Sequence, residues 1–153
     1  MMNRLDVDIQ VVSPLFRDEY MPRYASAGAA GMDLRACLDA PIEFRPGSHL
    51  RIPTGIAIGL PRQDVVALVY ARSGWAAKHG IALTNGVGVI DSDYTGEIQV
   101  LLSHHGTNPI VIEPGDRIAQ LVVTPIYVVN WRRVDSLAVT ERGEGGFGST
   151  GTR

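Results

Sequence analysis

The sequence predicts an all-β sandwich or barrel with one short helix and a flexible C-terminal arm. Three observations carry this reading. Short apolar and β-branched runs recur between proline and glycine turn signals, at Pro41, Pro46-Gly47, Pro53-Thr54-Gly55 and Pro114-Gly115. Only Trp75 to His79 has decent helix propensity. From Ala138 the composition changes: glycines 143, 145, 146, 148 and 151, with Ser149, Thr150 and several charges, surround one large apolar residue, Phe147. Such a tail buries too little surface to order itself. The chain therefore divides into a folded domain, residues 1–137, and a glycine-rich arm, residues 138–153.

Taken in order, Val7, Ile9 and Val11 alternate with polar neighbours, which predicts a half-buried strand over residues 5–12 that Pro14 ends. A loop with Tyr20, Pro22 and Tyr24 leads through Gly31 into a short strand, Met32 to Ala36. Ile42–Phe44, His49–Ile52 and Ile56–Leu60 follow as separate short strands. Val65 to Tyr70 is a continuous apolar run, fitting a central strand buried on both faces or a strand in a subunit interface. Gly80 is placed to cap the short helix. Asn85 to Glu97, with glycines at 86, 88 and 96, reads as a tight, bulged hairpin whose backbone a ligand can approach. Strands at Ile98–Ser103, Ile110–Ile112, Arg117–Ile126 and Val128–Val134 complete the domain.

The length of 153 residues fits one domain with a real core. A net charge of −2 gives no general basic surface for duplex nucleic acid, so an anionic partner must be held by a local cluster. Cys37 is the only cysteine and suits a reducing cytoplasm. Met1 to Val12 lacks the apolar core of a signal peptide, and the apolar segment Ile118 to Val129 is too short to span a bilayer, so a soluble protein is expected.

Several motif matches fail on context. Gly143 to Gly148 imitates a dinucleotide or phosphate-loop glycine pattern but lacks the strand before it and the helix after it. Asp91-x-Asp93-x-Thr95-Gly96 imitates a calcium loop whose twelfth position here is Leu102. The histidines at 49, 79, 104 and 105 show no zinc spacing and read as residues of solvated loops.

Three other groups have both a plain and a functional reading. Turn aspartates commonly bond their own backbone. Asp91, however, follows the apolar arm Gly-Val-Gly-Val-Ile, which would project its carboxylate into a partly dry site able to orient or deprotonate water, with Tyr94 offering a flat face beside it. Arg72-Ser73-Gly74 is either a serine-capped helix start or a convergence of guanidinium, hydroxyl and N–H groups on an anion. The tail is either a disordered end or a flap whose Arg142, Ser149, Thr150 and Phe147 wrap phosphates and stack on a base.

Together these segments resemble the trimeric dUTPases, the deoxyuridine triphosphate nucleotidohydrolases. The resemblance rests on Ala30-Gly31-Met32-Asp33-Leu34, Arg72-Ser73-Gly74, Gly86 to Gly96, Gly115-Asp116-Arg117-Ile118-Ala119-Gln120, and Arg142 to Gly151. One departure is Ala71, where many members have proline, which is expected to cost loop rigidity. The resemblance implies a jelly-roll-like β-barrel or sandwich that forms a homotrimer with shared active sites, takes dUTP as substrate, and binds neither nucleic acid nor membrane. It implies that Asp91 activates the attacking water, Tyr94 underlies the deoxyribose, and Asn85 with the nearby backbone reads uracil. It assigns Arg72, Ser73, Gly74, Gln120, Arg142, Ser149 and Thr150 to the phosphates, Phe147 to stacking on uracil, and Asp33 to supporting the site. The arm would close over the active site, and Mg²⁺ would be held by the substrate phosphates and waters. Two alternatives stand beside this: a dCTP deaminase-like enzyme of the same fold, and a non-catalytic nucleotide-binding regulatory module.

Overall fold

The computed structural model describes residues 4–146. Ten strands and one α-helix follow in order: β1 (Asp8–Val11), β2 (Met32–Arg35), β3 (Ile42–Phe44), β4 (His49–Gly59), β5 (Val65–Tyr70), α1 (Ser73–His79), β6 (Ile81–Leu83), β7 (Gly88–Ile90), β8 (Glu97–His104), β9 (Ile110–Ile112) and β10 (Arg117–Pro125). They form a jelly-roll sandwich. One sheet has the order β1-β4-β8-β6, the second β2-β10-β5-β7, and β3 pairs with β9 in a two-stranded ribbon. Among the described residues the sheets stay open rather than closing into a barrel.

The core lies between the sheets. Ile52, Ile56, Val100 and Leu102 from the first meet Leu34, Val69, Ala119 and Leu121 from the second, with Phe44 and Ile112 of the ribbon closing one end. Alternation explains why β8 works: Ile98, Val100 and Leu102 are buried while Glu97, Gln99 and Leu101 face outward in part. β5 is buried along most of its length and sits between β10 and β7, as a central strand should.

Several elements differ from the sequence reading. First, Pro53-Thr54-Gly55 does not end a strand: β4 runs through it, with a register shift against β8 between Pro53 and Ala57. Gly55 adopts φ +75° there, so the turn chemistry makes a bulge. The bulge is pinned by its own polar atoms: Thr54 Oγ1 donates to Ile98 O at 2.6 Å, and Gly55 N donates to Glu97 Oε1 at 2.8 Å. Second, β1 is an edge strand on β4 and all four of its residues are exposed, so alternation there records pairing without burial.

Third, residues 128–134 form no strand. Tyr127 and Trp131 are 97% and 93% exposed, so the segment pairs with no strand and keeps its apolar residues outside the core. Fourth, His104 does not sit in a solvated loop. It is buried against Phe44, accepts from Gly106 N through Nδ1 at 3.1 Å, and donates from Nε2 to Asn108 O at 2.9 Å. The helix begins two residues earlier than expected, and Gly80 at φ +66° caps it as predicted.

Candidate active site

Strand order gathers three distant segments. β10 lies between β2 and β5, and its Gln120 stands opposite Asp33 on one side and Tyr70 on the other. Two residues beyond Tyr70 comes Arg72, so Asp33, Arg72 and Gln120 share one sheet end although they span much of the chain. Asp33 Oδ1 is 2.8 Å from Arg72 Nε, and Asp33 Oδ2 is 3.4 Å from Arg117 Nη1. Arg72 Nη1 also donates to Arg117 O at 3.2 Å, and Gln120 Nε2 donates to Ala71 O at 3.0 Å. The last bond ties down the residue that stands where proline is common in the resembling family. A side chain thus supplies a restraint there that a ring would have supplied.

These groups line an open cleft of about 380 Å³, together with Ser73, Gly74 and Arg23. A methyl group on Gly31 would stand 2.8 Å from Gln120 Oε1, which explains the glycine at the entry to β2. The Gly115 turn behind the cleft is held from two sides: Arg35 Nη1 donates to Gly115 O at 2.8 Å, and the buried Tyr20 ring packs where a Gly115 side chain would lie. Arg72 precedes α1 as its cap residue without a side-chain cap bond, so Ser73 is the first helical residue and not the cap.

Asn85, Asp91 and Tyr94 line a second cleft, of about 330 Å³, floored by Val69, Ile90, Ile98 and Leu101. The segment that carries them is not a hairpin. β7 pairs with β5 in one sheet, whereas β8 pairs with β4 and β6 in the other, so Asn85 to Glu97 crosses between the layers. The physical reason is that β5 offers an open edge to β7 at Val69, where Gly88 packs so closely that a Cβ would be 3.0 Å from the Val69 Cβ. Tyr94 N donates to Asp91 O at 3.1 Å, so the turn uses the Asp91 main chain. The Asp91 side chain is exposed, so a single chain does not by itself provide the partly dry setting expected for it. Tyr94 OH donates to Glu97 O at 3.0 Å, folding the ring over Gly96, where a Cβ would lie 2.6 Å from the hydroxyl.

The two clefts have no lining residue in common. One is lined by three arginines and one carboxylate; the other has an apolar floor with two carboxylates, Asp91 and Glu97, and a single arginine, Arg51. Arg142 lies at neither: its Nε donates to Gly145 O at 2.9 Å within a local turn. Phe147, Ser149 and Thr150 fall outside the described residues. Among the described residues no three His, Cys, Asp or Glu side chains gather as a metal site, and no helix is long and apolar enough to cross a membrane.

The dUTPase family profile matches residues 17–151. The chain belongs to the dUTPase family. It is 54% identical over 131 residues to the deoxyuridine 5'-triphosphate nucleotidohydrolase of Desulfitobacterium hafniense, covering 86% of this chain and 87% of that protein. It is 48% identical over 147 residues to the protein of the same name from Burkholderia ambifaria, covering 96% and 99%. Among solved structures, a mutant dUTPase of Staphylococcus bacteriophage 80alpha with dUpNHpp superposes with a TM-score of 0.82 at 26% identity, covering 95% of this chain and 98% of that one. The first four of the quoted segments contribute residues to the two clefts rather than to one, and the described part of the fifth lines neither. Arg117 and Glu97 were missed as individual residues by sequence reasoning. Arg117 lay inside a quoted motif, and nothing in the sequence pairs it with Asp33, 84 positions away.

Proposed function

We propose that this chain hydrolyses dUTP to dUMP and pyrophosphate, with water activated by Asp91 attacking the α-phosphorus in line. The observation that carries the proposal is the division between an apolar-floored cleft bearing Asp91 and Tyr94 and a separate cleft lined by arginines, in a chain of this family. A deoxynucleoside triphosphate needs that division: a dry seat for base and sugar, and a cationic seat for phosphates. Asn85 and the adjacent backbone read uracil, and Tyr94 lies against the deoxyribose. Arg72, Ser73, Gly74 and Gln120 hold the phosphates, with Asp33 fixing Arg72.

In the reaction the Asp91 carboxylate accepts a proton as the water oxygen bonds to the α-phosphorus and the bond from that phosphorus to the bridging oxygen of pyrophosphate breaks. The guanidinium groups stabilise charge building on the phosphates. Mg²⁺, for which the described residues offer no ligand cluster, would come with the substrate phosphates and would supply charge neutralisation there.

The separation of the clefts supports a homotrimer in which complete sites form between chains. Exposed apolar residues along 126–139, including Tyr127, Trp131, Leu137 and Val139, supply surface for such contacts. The arm, residues 138–153, then closes over the bound nucleotide, bringing Arg142, Ser149 and Thr150 to the phosphates and Phe147 onto uracil. Such an enzyme working in the cytoplasm limits uracil incorporation into DNA and supplies dUMP for thymidylate synthesis.

The test is a pyrophosphate and ammonia assay with dUTP and dCTP, using the wild type and Asp91→Ala. Pyrophosphate from dUTP with wild type, and turnover lost with dUTP binding retained in the variant, is the expected result. Ammonia from dCTP would indicate a deaminase, and full turnover by Asp91→Ala would displace Asp91 as the base.

A further inference from the structure

Arg23 lines the arginine cleft beside Arg72 and Arg117, yet it belongs to none of the motif segments. Its position is fixed from both sides. Before it, the buried Tyr20 packs on Phe16 and on the Gly115 turn, the same turn that leads into Arg117. After it, Tyr24 bridges to Met32 at the start of β2, one residue from Asp33. Pro22 restricts the chain between these anchors. The loop therefore delivers Arg23 to the cleft as a consequence of how it docks.

The charges in the cleft are unequal. Its lining holds three guanidinium groups, those of Arg23, Arg72 and Arg117, and one carboxylate, Asp33. Asp33 is engaged by Arg72 and Arg117. The Arg23 charge is left facing an open, solvated cleft that already collects cations. Such a group gains most from a polyanion, whose charge answers the local excess that the rest of an acidic chain does not share.

We propose that Arg23 is a further substrate-binding residue, gripping the distal phosphates of the triphosphate and hence the pyrophosphate product. This rests on the nucleotide hydrolysis proposed above. Asp33, Arg72 and Arg117 form the bonded group on the sheet end, whereas Arg23 reaches the same cleft from a separate loop and is available to phosphate that extends beyond them. Arg23 therefore adds affinity for di- and triphosphate chains and little for a monophosphate.

The experiment compares wild type, Arg23→Ala, Arg23→Lys and Arg62→Ala, measuring calorimetric binding of inorganic pyrophosphate with Mg²⁺ and, separately, of dUMP. Arg62→Ala removes the same charge from an exposed pair with Asp64 and controls for net charge. Arg23→Ala is expected to raise the pyrophosphate Kd about five- to tenfold, with dUMP unchanged, a flatter salt dependence, and partial recovery in Arg23→Lys. A pyrophosphate Kd matching that of Arg62→Ala, an equal loss for dUMP, or no pyrophosphate binding by the wild type would overturn the assignment. Wild-type turnover of dUTP is scored apart from these binding constants, so failure of the reaction and failure of the Arg23 contact give different results.

Discussion

Asp33 Oδ1 stands 2.8 Å from Arg72 Nε, across the strand β10 that separates β2 from β5, and the same carboxylate reaches Arg117 with its other oxygen. The pair is about three-quarters buried on each side, so it aims the guanidinium more than it stabilises the fold. Asp33→Asn keeps the shape and removes the charge. It is expected to raise KM for dUTP about tenfold while costing only about 1 kcal/mol of stability. Steady-state kinetics alongside thermal unfolding check this; an unchanged KM would mean that Arg72 is aimed by something else.

Tyr94 owes its pose to a missing side chain. A methyl at Gly96 would meet the ring 2.6 to 3.1 Å away, and the ring cannot yield without losing its bond to Glu97 O. Gly96→Ala is expected to lower the preference for dUTP over UTP by about tenfold in kcat/KM. Competition between the two nucleotides measures it, because a ring proposed to lie against the deoxyribose would crowd a 2′-hydroxyl; an unaltered ratio would show that the Tyr94 pose does not select the sugar.

Beneath the base cleft, Ser103 Oγ is 2.9 Å from His49 Nδ1 and 2.8 Å from Thr84 Oγ1, joining three strands or their ends just before Asn85. Ser103 is buried, so Ser103→Ala strands two partners at once. A loss of about 1–3 kcal/mol in urea unfolding at fixed protein concentration is expected, with weaker dUTP binding because Thr84 positions Asn85. Stability equal to wild type would show that His49 and Thr84 do not depend on this hydroxyl.

Removal of residues 138–153 tests the arm. The described part of it, up to Gly146, is stabilised by its own turns, with Gly143 N donating to Thr140 and Gly145 N to Arg142 O. The truncated chain is expected to keep its circular dichroism and Tm while hydrolysis slows by roughly a hundredfold. Retained activity would leave the arm without a part in the reaction.

The regular part of the fold was legible in the sequence because period-2 alternation and turn chemistry are local signals. β5, β8 and the Gly80 cap follow directly from such patterns. Pairing is not local. The Pro53-Thr54-Gly55 bulge looked like a turn because a glycine at positive φ serves both, and only the bonds to Glu97 and Ile98 distinguish them. Likewise the Asn85 to Glu97 segment carries hairpin glycines but finds its partners elsewhere. Of the residues lining the two clefts, Asp33, Arg72, Ser73, Gly74, Gln120, Asn85, Asp91 and Tyr94 stood out in the sequence, while Arg23, Arg117 and Glu97 did not. Their division into two clefts was not visible there, since it depends on β10 inserting between β2 and β5.

The crossing of Asn85 to Glu97 from one sheet to the other makes the base cleft a seam in the sandwich. β7 is stitched to one layer and β8 to the other, and Asn85, Asp91 and Tyr94, the residues proposed to meet the nucleotide, lie on the thread between them. Recognition and cohesion of the fold thus draw on the same thirteen-residue span from Asn85 to Glu97. A change that loosens the layers must also blur what the protein recognises.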